Sequence, residues 1–317
     1  MSMDRATTRP REISIEDQAI ATLSVPGYPD FLAADGRGVW TTNVDRVEKL
    51  EIDRADPVKT IEMPGPCGGM VVVEGSIWVA SCRDLAVYRL DIASGSVVAR
   101  IPTGLADPEG ELSLAAGAGS VWVLSSATGI LARIDQATNE VVAEVPVLAN
   151  SCAAAFDFGA VWTTSSGSDR AQGWVQRIDT ASNSVAATIR VGPVPRFLAA
   201  GEGAVWTLNW ADGSVTRIDP ATNQQVITFG LGMEGGGGDI ATGGGAVWVR
   251  GTKVLLAAVD PTTNEVTTIY GPPAGSGAVR VAGDLVWVTA HDTNKVWVLR
   301  PGHQSLNTNA DILPTAV

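Results

Sequence analysis

His291, followed at once by Asp292, is one of two histidines in the chain. An imidazole titrates near neutral pH, so a histidine at a ligand site can act as a general base. Arg280 presents a fork of N–H donors that can hold an anionic group or polarise a carbonyl; otherwise it fills space near the axis of the fold in a salt bridge. These two are the catalytic candidates. The carboxylates Asp30, Glu111, Glu234 and Asp239 could together hold a hard cation such as Mg²⁺ or Ca²⁺, which takes oxygen ligands, and Glu234 and Asp239 are the metal candidates. Asp30, Asn43, Glu111, Arg196, Asn209 and Trp210 are candidates for binding a substrate, the amides by hydrogen bonds and Trp210 by stacking. GMEGGGGD is glycine-rich but precedes no helical pattern, so it is no phosphate loop. No GxSxG or HExxH motif occurs.

Most of these positions depart from a repeat. A Val/Ile-Trp pair after a turn recurs at Trp40, Trp78, Trp122, Trp162, Trp206, Trp248 and Trp287, at intervals of 38 to 44 residues. Seven markers at nearly even spacing mean seven structural units. A second marker, clearest as RIDQATN, RIDTASN and RIDPATN, follows the first six. Its Asp bonds backbone N–H groups inside a turn, and its Asn tolerates positive φ, which is hairpin chemistry. Alternating runs such as VVAEVPV and SVAATIRV read as half-buried strands. Each unit is therefore four short strands. The chain is predicted to be an all-β, seven-bladed β-propeller of four-stranded antiparallel blades. The tryptophans pack between blades. The last unit supplies three strands, and the orphan run QAIATLSVPG (18–27) is expected to pair with it and close the ring.

Alignment on the tryptophans exposes the departures. Seven residues earlier stand Ala33, Val71, Ala115, Ala155, Ala199 and Ala241, and then Arg280. Ten or eleven earlier stand Asp30, Cys67, Glu111, Cys152 and Arg196, which differ blade by blade. Asn43, Asn209, Trp210 and His291 come three or four residues after. Loops into the inner strands and loops after the Trp strands emerge on one face, and ligand sites favour such concave mouths.

The unit GEGAVWTLNWADGSVTRIDPATNQQVITF resembles the YVTN-type propeller repeat and, more broadly, the streptogramin B lyase-like superfamily, over residues 18–300. Streptogramin lyases use histidines and a glutamate, with magnesium, on one face of the propeller. The nearest match to their Glu-x-His segment is MEGGGGDIATG, which supplies Glu234 and has glycines where the histidine stands. Two readings follow. One is a small-molecule enzyme, a lyase or hydrolase, acting at the propeller mouth. The other is a noncatalytic propeller that binds a protein or small ligand.

The net charge of -12 argues against nucleic acid and anionic membranes as partners. No run reaches the ~18 apolar residues of a membrane helix. The N-terminus has no apolar signal-type run, and three cysteines without metal-ligand spacing fit a reducing compartment. A cytoplasmic monomer is expected, with a flexible segment over 1–17, one propeller domain over 18–300 and a tail over 301–317. If Glu74 and Gly75 turn a hairpin, Cys67 and Cys82 face each other. They are expected to be free thiols, because plain facing pairs stand wider than a bridge requires.

Overall fold

The structure is a computed structural model, described over residues 9–104, 113–125, 129–168, 170–233 and 237–302. It is a seven-bladed propeller of antiparallel blades whose innermost strands touch their neighbours in a closed ring. Blade five shows the plan. Its strands are Pro195–Gly201 at the axis, Ala204–Asn209, Ser214–Asp219 and Gln224–Gly230 at the rim. Glu202 and Gly203 make the first turn with positive φ at both residues, as a tight two-residue hairpin requires.

The seven repeat tryptophans are all buried. In four blades the indole N–H is satisfied where the inner strand ends. Trp122, Trp162, Trp206 and Trp248 donate to the carbonyl five residues earlier, at 3.0 to 3.2 Å. A bulky ring at the same place in each blade makes one continuous interface between sheets, although the Trp78 indole N–H has no partner among the described residues.

The second marker does more than turn the chain. Arg89, Arg133 and Arg217 face the tryptophan of their own blade across the sheet. Each guanidinium lies 4.9 to 5.3 Å from that ring centroid. It then reaches the next blade. Arg89 donates to Asn139 Oδ1 (3.0 Å), Arg133 to Asn183 Oδ1 (2.8 Å) and Arg217 to Asn264 Oδ1 (3.3 Å). These asparagines have φ of 62°, 52° and 62°. In these three blades the Arg and Asn of the repeat are two halves of a staple between neighbours, whereas Asn223 Oδ1, the acceptor that would face Arg177, has no partner among the described residues.

Closure follows the expected route. Ala21–Ser24 pairs antiparallel with Lys295–Leu299, and Leu23 opposite Val296 completes the core of blade seven. Part of the segment before it, from residue 11, carries secondary structure. Arg11–Ser14 adds a parallel fifth strand to blade six along Val266–Gly271. The turn Ile15–Gln18 then carries the chain toward blade seven, with Ile15 buried among Trp248, Leu255 and Trp297. A large aliphatic side chain between two blades gives this stretch something to bury, which its polar neighbours conceal in the sequence. Of the tail, residues 303–317 lie outside the described residues.

The expectation of free thiols is corrected: Cys67 and Cys82 form a disulfide. The hairpin turns where expected, with Val73 opposite Ser76 and Met70 opposite Val79. The register then shifts before Pro66, which pairs with Ser81. The irregularity spans Cys67 and Gly68, whose φ is +76°. It breaks the plain facing geometry and leaves the two Cα atoms 5.8 Å apart, inside the range a bridge spans.

Candidate functional site at the propeller mouth

Inner strands begin and Trp strands end at the mouth, so the loops there converge. A cavity of about 250 Å³ opens among blades five, six, seven and one. Blade five gives it Arg196, Phe197 and Trp210, and blade six gives Gly237, Gly238 and Asp239. Blade seven gives Ser276 to Ala278 and His291, and the entry to blade one gives Tyr28, Asp30 and Phe31. Five residues singled out in the sequence, Asp30, Arg196, Trp210, Asp239 and His291, therefore share one cavity. Arg196 lies over the Trp210 ring, 5.7 Å from its centroid.

A larger cavity, about 370 Å³, follows the axis and takes lining residues from all seven blades. Its walls are mostly apolar residues of the inner strands, and Arg280 is the charged residue among them. The Arg280 guanidinium forms an ion pair with Asp239 and also donates to the Val279 carbonyl. This pair stands between the two cavities. Arg280 and His291 thus belong to one blade and to different cavities.

His291 opens a single 3₁₀ turn, His291–Thr293, and is 9% exposed. Its Nδ1 lies 3.1 Å from Asp292 Oδ1, and its Nε2 lies 3.3 Å from the Tyr28 hydroxyl. A carboxylate only accepts, so Nδ1 carries the hydrogen and Nε2 accepts from Tyr28. The two rings stack with centroids 4.1 Å apart. Asp292 is itself held, since the Ser276 N–H donates to its Oδ2 at 3.1 Å. Burial pulls the His291 pKa below its ordinary value; Asp292 opposes this, and Arg250 adds to it.

Arg250 was not among the sequence candidates. It is fully buried, two residues after Trp248, where the other blades carry Thr42, Ala80, Leu124, Thr164, Leu208 and Thr289. Its guanidinium donates to the carbonyls of Thr289 (3.2 Å) and Gly251. Burial lowers its pKa to about 10, with Asp292 and Asp239 favouring the charge, so it remains a cation at neutral pH. Tyr28 also escaped the sequence reading. It sits in the loop ahead of blade one, where the matching loop of blade five carries Val194.

Two candidates lie elsewhere. Asn43 is buried; its Oδ1 accepts from Tyr28 N at 2.7 Å, and its Nδ2 donates to Glu48 Oε2 at 2.7 Å. Asn209 is buried too, bonded to Thr207, Ser214 and Thr216 at 2.9 Å each. Asn43 holds a loop, Asn209 ties strands of its own blade, and neither lines the cavity. Glu111 and Glu234 lie outside the described residues.

The described residues do not fit a divalent cation. Asp239 Oδ1 accepts from Ile240 N at 2.9 Å, and Oδ2 accepts from Val279 N at 3.0 Å and from Arg280. Both oxygens already face donors. Among the described residues, no three of His, Cys, Asp or Glu stand close enough to share an ion. Burial raises the Asp239 pKa, with Arg280 foremost in opposing it.

No family model matches the chain, and no curated protein sequence matches it. Solved structures do. A streptogramin B lyase is 17% identical with a TM-score of 0.71, over 88% of this chain and 95% of that one. Hydrazine synthase from Kuenenia stuttgartiensis is 14% identical at 0.72, over 88% and 97%. A chain of a mitotic checkpoint complex is 13% identical at 0.73, over 95% and 94%. What these proteins share with the chain is the fold.

Proposed function

We propose that the chain is a small-molecule enzyme whose site is the mouth cavity, and that His291 handles the proton in a lyase or hydrolase reaction. The observation that supports this reading most is the row Asp292, His291, Tyr28, which meets the cavity where Asp30, Arg196, Trp210 and Asp239 also converge. A neutral imidazole oriented by a carboxylate is the arrangement a general base needs. Tyr28 and Phe31 face the cavity from blade one, and Phe197 and Trp210 from blade five. Such walls suit a flat organic molecule, and the Asp239–Arg280 pair contributes no net charge, so the ligand is neutral or singly charged. The partner in this reading is a small molecule met by a monomer, with neither nucleic acid nor membrane involved.

The test begins with a thermal-shift screen of small organic compounds, followed by turnover of any hit. His291→Gln and Asp292→Asn should each lower turnover by about 10²–10⁴-fold for loss of a positioned acid–base group, with the melting temperature at pH 8 little changed. A second reading, a noncatalytic propeller, draws on Arg280, whose guanidinium is engaged by Asp239 rather than presented to the mouth. A hit that binds tightly and is never converted by the wild type favours it.

A further inference from the structure

In the enzyme reading His291 is the proton-handling group, yet neither of its ring nitrogens faces open space. Nδ1 is covered by Asp292, and Nε2 by the Tyr28 hydroxyl. The imidazole is 9% exposed, whereas Tyr28 is 45% exposed and lines the same cavity. A ligand therefore meets the phenol before it can reach the imidazole. We propose that Tyr28 is the acid–base residue that touches the ligand and that His291 stands behind it as proton store, with Asp292 orienting the ring. This rests on the mouth cavity being the ligand site.

The proton count closes without a co-reactant. A proton leaving the ligand goes to the Tyr28 oxygen as the phenol's own proton passes to His291 Nε2. The ligand gains one negative charge, and the imidazole becomes an imidazolium that keeps its Nδ1–H bond to Asp292. The reverse transfer restores both. At 3.3 Å the phenol–imidazole contact is long, and such bonds tighten when a ligand closes the site.

The loop that carries Tyr28 is built to hold it. Its backbone N–H donates to Asn43 Oδ1, and Asn43 is anchored by Glu48. Arg46 ties the same loop through the Pro26 carbonyl at 2.9 Å and pairs with Glu48 at 2.7 Å. Gly27 has φ of +117°, and a side chain there would come within 2.2 Å of Asn43 Oδ1. This accounts for Asn43: it acts on the ligand through Tyr28, as a positioning residue. The charged groups around the imidazole are Asp292 on its own turn and Arg250 from blade six. Asp30, Arg196 and Asp239, the last paired with Arg280, stand around the cavity it adjoins.

The chain has two histidines and three tyrosines, so both rings can be observed directly in the full-length protein. Nitrogen-15 NMR across pH 5 to 9, with His303→Gln to assign the second histidine, reads the tautomer and titration of His291. Carbon-13 labelled tyrosine reads Tyr28. The expected result is the Nδ1–H tautomer, a Tyr28 signal that steps with the His291 titration, and opposite responses to two variants. Tyr28→Phe removes a donor that favours the neutral ring and raises the His291 midpoint. Asp292→Asn removes a carboxylate that favours the charged ring and lowers it. An Nε2–H tautomer, or a His291 midpoint indifferent to Tyr28→Phe, overturns the relay. Failure of the enzyme reading looks different: the coupling is present, and the wild type converts none of the compounds it binds.

Discussion

His291 gives up hydration without gaining a fully buried counter-ion, and that balance sets a pH dependence. Its folded pKa is depressed by burial, so between that value and the unfolded value, ~6.5, the unfolded chain binds the extra proton. Stability then rises with pH through this window and is lost as pH falls below about 6.5. His291→Gln should flatten the melting temperature between pH 7 and 5 relative to wild type; parallel curves would mean that the ring is not desolvated as described. Arg250 acts on the same ring from below. Arg250→Met should raise the His291 midpoint, read by the same NMR titration, because it removes a cation that disfavours the imidazolium. Arg280 was legible in the sequence because it breaks the repeat of Ala and Val at its position, whereas Asp239 and His291 stand at positions that vary from blade to blade. Arg250 breaks the repeat too, two residues after its tryptophan, but strand interiors read as packing. Tyr28 stands where blade five has Val194, in a loop whose residues vary from blade to blade. Asn43 and Asn209 stood at mouth positions, yet a strand's last residue can turn inward, and both do.

At the level of the strand, the repeat's Arg and Asn carry a contact that composition alone does not announce. Arg133 combines a ring face at 4.9 Å with acceptors from Thr180 and Asn183 at 2.8 Å each. Hydrogen bonds to a charged group contribute ~1.5–3 kcal/mol. Arg133→Met, which keeps the aliphatic stem over Trp122, should therefore cost about that much in urea unfolding. Asn183→Gly keeps the left-handed backbone and loses the acceptor, so it should cost less, about 1 kcal/mol; equal costs would place the staple's strength in the turn instead. The closing strand was legible because every other unit has a fourth strand and the last has none. The strand Arg11–Ser14 was not, because REIS has too few apolar residues to show a period. Ile15 anchors it, and Ile15→Ala should destabilise by ~2–5 kcal/mol for a buried aliphatic residue. Removing residues 1–27 bares the edges of blades six and seven, an invitation to pairing between molecules. Light scattering should then report aggregates, and a monomer with unchanged melting temperature would contradict the closure described here.

For the molecule as a whole, seven blades were countable from seven tryptophans, whereas the state of the cysteines was not, because the local bulge that lets Cys67 reach Cys82 leaves no periodic trace. Such bridges persist in oxidising surroundings, which bears against the cytoplasmic setting that three scattered cysteines suggest. Thiol titration of the unfolded, unreduced protein should find one reactive group, Cys152; finding three would return the chain to a reducing compartment. Cys82→Ser should cost about 3 kcal/mol for a loop of this length. The cavity has a further property that follows from where the ring is sewn shut. Tyr28 and His291 are 263 residues apart, at opposite ends of the chain. A ribosome adding ~5–20 residues per second makes the phenol roughly 13–50 s before its imidazole. Throughout that interval the nascent protein holds finished blades and no site. On the function proposed above, the mouth is therefore incomplete in every unfinished copy, and the seventh blade is the one that completes it.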